Sequence, residues 1–124
     1  MTEEIKSFIQ KDETAKRMVE YAEKLAMDIC RDVSSSQIRN AYGTVKKLEM
    51  QSVFDNKSYR ELLLLKPKLA YARGRSSKKE IFKKLEDTLS AAIDAVDVKE
   101  PETFKRFCNF FEAILAYHKA HGGK

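Results

Sequence analysis

Apolar side chains return along this chain at intervals of three and four residues, and no stretch alternates at intervals of two over a useful length. That period belongs to helices that bury one face, so strands are excluded as the main element. Helix breakers are scarce, with four glycines and two prolines in 124 residues. The pattern therefore predicts an all-α protein, a compact bundle of about five helices. A chain of this length holds one hydrophobic core, so 1–124 is expected to be a single helical domain.

The expected boundaries follow from stripes and caps. Residues 1–11 read as a short helix or a flexible arm. A first long helix begins near Asp12 as N-cap and runs to about Val33, with Met18, Ala22, Leu25 and Ile29 on one stripe. Ser34 and Gln37 fit a capping box, opening a helix from about Ser36 to Val53 whose inner face holds Ile38, Ala41, Tyr42, Val45 and Leu48. After a turn at Phe54–Lys57, Ser58 and Glu61 fit a second capping box. The helix that follows is expected to kink or break at Lys66-Pro67, because the proline ring crowds the carbonyl of Leu63 and removes a donor. Gly74 is expected to end that helix in a left-handed conformation. Ser77 and Glu80 would cap a fourth helix to about Val98. Pro101 suits the first turn of a fifth, ended by Gly122-Gly123.

Charge is distributed unevenly along this scaffold. Residues 1–57 are balanced and residues 85–124 carry a slight acidic excess, so the net charge of +5 comes from residues 58–84. A localised basic stretch suits a polyanionic partner. Within it, Lys78, Lys79, Lys83 and Lys84 interleave with acids and read as a solvated helix face. Lys66, Lys68, Arg73 and Arg75 have no acid among them, and they flank Tyr71. On the second long helix Arg39 and Lys46 fall within about 20° of each other at 100° per residue, beside Tyr42. Tyr42 and Tyr71 could support such a surface by packing at its edge.

Other chemistry is poorly served. His118 and His121 stand three apart but lack further ligands nearby, so no metal or cofactor is expected. Cys30 and Cys108 sit in apolar patterns and form no C-x-x-C pair. No P-loop, nucleophile elbow or catalytic triad order is present, so an enzyme is not expected. The aromatic stripe of the fifth helix, Phe104, Phe107, Phe111 and Ile114, reads as core rather than as a stacking platform for bases. No uncharged run approaches the ~20 residues of a membrane span. The acidic start Met1-Thr2-Glu3-Glu4 is unlike a signal peptide, so a cytoplasmic location is expected.

Three blocks carry a resemblance beyond these physical patterns. They are Ser36-Gln37-Ile38-Arg39-Asn40-Ala41-Tyr42-Gly43-Thr44-Val45-Lys46, the block Leu65-Lys66-Pro67-Lys68-Leu69-Ala70-Tyr71-Ala72-Arg73-Gly74-Arg75, and Phe104 through Lys119. In this order the blocks resemble the small subunit of Csm-type, type III-A CRISPR effector complexes, over roughly Ser34 to the C-terminus. The resemblance implies a non-catalytic RNA-binding subunit of a ribonucleoprotein used in antiviral defence. Its partners would be guide (CRISPR) RNA and target RNA, the backbone and other subunits of the Csm complex, and copies of itself in a filament, with a homodimer conceivable in isolation. The basic positions implied are Arg39, Lys46, Lys66, Lys68, Arg73 and Arg75, with Lys47 and Lys119 as weaker candidates. The competing reading from the residues alone is a helical adaptor or DNA-binding regulator with a basic patch.

Overall fold

The last helix organises the molecule because it is apolar on the widest arc. In the computed structural model, which describes residues 2–124, α7 (Pro101–Ala120) packs against α1 (Thr2–Gln10), α2 (Ala15–Ile29), α3 (Ser35–Glu49) and α6 (Lys79–Ala95). Two further helices, α4 (Asn56–Leu63) and α5 (Leu65–Arg75), make seven, and α5 lies against α3, α4 and α6. The aromatic stripe of α7 is core: Phe107, Phe110 and Phe111 are fully buried, joined by Phe8 and Phe82 from α1 and α6. Each such side chain contributes about 1.5–3 kcal/mol of burial.

Seven helices rather than about five arise at two places. The first is the N-terminal segment, where α1 buries Ile5, Phe8 and Ile9. Phe8 meets Tyr21 and Phe110 edge-on at 5.5 and 5.6 Å, a favoured aromatic geometry. The second is the helix around Pro67, which separates at Leu64, earlier than Lys66-Pro67. Pro67 lies in the first turn of α5, where its missing N–H leaves nothing unpaired, and α4 ends at Leu63, the residue whose carbonyl the ring would crowd.

Several caps also differ from expectation. Asp12 does not cap α2, because its carboxylate is spent on Arg106 Nε at 2.6 Å; α2 starts at Ala15 and stops at Ile29, before Val33. The Ser34–Gln37 box is formed. Asp55, not Ser58, caps α4, accepting from the Ser58 amide at 2.9 Å. Gly74 continues α5 with negative φ. Lys78 precedes α6 without a side-chain cap, so the Ser77–Glu80 box is absent, and α6 stops at Ala95, short of Val98.

The end of α7 is tied down in two ways, and its middle is joined to α3. Gly122 takes φ 89°, and the amides of Gly122 and Gly123 donate to Lys119 O and His118 O at 3.1 and 2.8 Å, forming a Schellman motif. His118 is fully buried, with Nε2 2.6 Å from Val33 O. Tyr42 O–H donates to Glu112 at 3.1 Å. These links set α3 antiparallel to α7. No helix is long and apolar enough to cross a membrane among the described residues.

Candidate nucleic-acid interface

The eight cations expected at the interface separate into two groups. Three have carboxylate neighbours. Lys66 Nζ lies 2.6 Å from Asp94 Oδ1, Lys46 Nζ 3.4 Å from Glu49 Oε1, and Arg73 Nε 2.5 Å from Glu86 Oε1. The first and last pairs pin α5 antiparallel onto α6. Asp94 therefore sets a carboxylate against a predicted site residue. The other five cations, Arg39, Lys47, Lys68, Arg75 and Lys119, are exposed, and among the described residues no carboxylate oxygen lies within 4.0 Å of their charged nitrogens.

Packing brings some of these cations together. Lys47 and Lys68 face one groove of about 410 Å³ between α3, α4 and α5, along with Lys57. Asp55 and Glu61 also line it. Asp55 is occupied in capping: hydrogen bonds from the Ser58 amide and hydroxyl hold its carboxyl below its ordinary value. Lys57 was missed in the sequence because it lies at the end of a charge-balanced segment, and its nearness to Lys47 and Lys68 depends on how α4 folds back. Arg39 shares the solvent-facing side of α3 with Gly43 and Lys46, and Lys119 lies at the end of α7, where the antiparallel α3 begins.

The two tyrosines have different placements. Tyr42 is half-buried, its ring edge-on to Phe111 at 5.3 Å and its hydroxyl on Glu112. Burial, then that hydrogen bond, pushes its phenol well above the ordinary value, so it remains a neutral donor joining α3 to α7. Tyr71 is 67% exposed on α5, with the Arg75 guanidinium 5.8 Å from its ring centroid.

The remaining polar groups are committed to structure. Burial, with Glu49 and Glu112 nearby, pushes the Cys108 thiol up to about 12, so it is not a thiolate nucleophile at neutral pH. His118 and His121 turn to different partners, Val33 O and Glu23. Among the described residues no group of three or more His, Cys, Asp or Glu side chains gathers as metal ligands would.

The sequence profile of the family described as Csm2 Type III-A matches residues 12–124. The CRISPR system Cms protein Csm2 of Streptococcus thermophilus is 29% identical over 101 residues, covering 74% of this chain and 75% of that protein. No solved structure matches the chain. An all-helical bundle and a profile match over nearly its whole length lead to one conclusion: the chain belongs to the Csm2 family of type III-A CRISPR systems.

Proposed function

We propose that this chain is the non-catalytic small subunit of a type III-A CRISPR effector ribonucleoprotein, holding guide and target RNA by their backbones and stabilising the filament of subunits. The observation that carries this reading is the set of five exposed cations without carboxylate partners on α3, α5 and α7. Point charges on a rigid bundle suit phosphates and carry no base readout. That is sufficient where base pairing to a guide supplies specificity. Individually weak contacts gain strength when copies repeat along one RNA. Exposed Met27, Met50 and Val53 offer apolar area for neighbouring copies and other Csm subunits. The commitments of Cys108, His118 and His121 favour a role without catalysis, and a place in such a complex implies the cytoplasm alongside the other subunits.

Purified protein titrated by fluorescence anisotropy against single-stranded RNA, RNA duplex and duplex DNA tests the proposal. Weak RNA binding with little sequence preference and steep loss of affinity with salt is expected. Stronger binding to one particular DNA sequence would overturn it in favour of a DNA-binding regulator.

A further inference from the structure

Among the described residues α5 is the least amphipathic of the helices. Inward it buries Leu65 and Leu69. Outward, at spacings of three and four, it presents Pro67, Lys68, Tyr71 and Arg75, all exposed, with Leu64 47% exposed at its start. A ring two-thirds in water on a well-packed helix is not explained by the core. Nor is Gly74, three residues further on, required by the fold. It is helical with negative φ, and a Cβ there would meet nothing within 4 Å, although glycine in place of alanine costs a helix about 0.5–1 kcal/mol.

The charges on this helix identify the kind of partner. α5 contains no acid. Its inward-leaning cations, Lys66 and Arg73, are engaged by Asp94 and Glu86 of α6, whereas Lys68 and Arg75 are not. An aromatic ring thus stands between two available cations, each about one helical turn (~5.4 Å) away. Arg75 already lies over the ring at 5.8 Å, so guanidinium and phenol form one amphipathic ledge. A nucleotide offers both a π-face and a phosphate to such a ledge, whereas a protein partner would have to supply an acidic and an aromatic group at matching spacing. A base within a duplex is stacked on its neighbours and cannot offer its face.

Resting on the RNA-binding reading above, we infer that Tyr71, with Lys68 and Arg75, is a stacking ledge for an unpaired nucleobase, so that α5 receives single-stranded or extruded nucleotides rather than continuous duplex. The Tyr71 ring supplies the stacking surface and the two cations hold the adjoining phosphates.

The test compares Tyr71→Ala, Tyr71→Phe and Arg75→Ala with the parent protein, using a single-stranded oligouridine, an oligoadenosine and a blunt RNA duplex. Tyr71→Ala should lose roughly 5- to 100-fold in affinity for the single strands with an unchanged salt slope, since no phosphate contact is removed, and should leave duplex affinity within about twofold. Tyr71→Phe should retain most of the binding. Arg75→Ala should lower the salt slope. Melting temperatures should stay unchanged, because Tyr71 is on the surface. Single-strand affinity unchanged in Tyr71→Ala, or an equal loss for duplex, overturns the ledge. If Tyr71→Ala keeps RNA affinity but no longer assembles with the other Csm subunits, the face docks protein and the inference is wrong. Parent protein that binds none of the three RNAs at low salt instead refutes the RNA-binding reading itself, a result readily told apart from the others.

Discussion

Replacing Gly43 by alanine should stabilise this protein. Gly43 lies inside α3 on the solvent side, its φ is negative, and a Cβ built there would meet nothing within 4 Å. Alanine adds no clash, narrows the unfolded ensemble and shields the helix backbone, a gain of about 0.5–1 kcal/mol. For a domain of this size that corresponds to a rise of about 2–6 °C in melting temperature. Gly122 and Gly123 provide opposite controls. At Gly122, φ 89° makes any side chain cost about 1–2 kcal/mol. At Gly123, a Cβ would lie 2.1 Å from the His118 ring and 2.5 Å from its carbonyl. Relieving that clash breaks the Gly123 amide's bond to His118 O, a loss of about 1–3 kcal/mol. Thermal melts of the three single variants should give one increase and two decreases. A fall in melting temperature for Gly43→Ala would refute the placement of α3's outer face, and a rise for Gly122→Ala would refute the α7 terminus.

Ser34→Ala removes the hydroxyl that accepts from the Gln37 amide, one half of the α3 capping box, and should cost about 1 kcal/mol in urea unfolding. Cys108 should resist a disulfide reagent at pH 8 in the folded protein and react only on unfolding, because its buried thiol is pushed up to about 12; the half-buried Cys30 should react first. The Asp12 carboxyl is held below its ordinary value of 3.8, chiefly by its hydrogen bond from Arg106. Its contribution is therefore present above that value and is lost as pH falls through the lower folded-state value. Asp12→Asn should accordingly lower the urea midpoint at pH 7, and the deficit should shrink as pH is titrated below the ordinary carboxylate value of 3.8.

Much of the bundle was legible in the sequence because stripes and strong caps are local. The Met18–Ile29 stripe, the Ser34–Gln37 box, Pro101 at a helix start and the glycines after α7 all correspond to structure. Errors arose where two groups competed for one role. Asp12 could cap α2, but a residue 94 positions away takes its carboxylate. Ser58 could cap α4, but Asp55 does so, and the Ser58 hydroxyl itself turns to the Asp55 carboxylate at 3.0 Å. Pro67 signalled a break, yet the chain yields at Leu63–Leu64, where the ring would press, leaving the proline harmless in a first turn. The candidate surface was half legible. The excess of cations between Lys66 and Arg75 is visible in the sequence, but which of them are neutralised depends on α6 running antiparallel to α5, bringing Asp94 and Glu86 opposite Lys66 and Arg73. The addition of Lys57 to Lys47 and Lys68 is likewise a product of tertiary packing.

The central claim is that the cations without carboxylate partners hold RNA by its phosphates. The direct measurement is the dependence of RNA affinity on salt concentration for the parent protein and for a variant with Arg39, Lys47, Lys68, Arg75 and Lys119 all replaced by alanine. Each phosphate contact contributes roughly 0.7 to the slope of log affinity against log salt on single strands, so the variant's slope should fall by up to about 3.5 and its affinity should collapse at low salt while its helicity is preserved. A folded variant with the parent's slope and affinity would contradict the account.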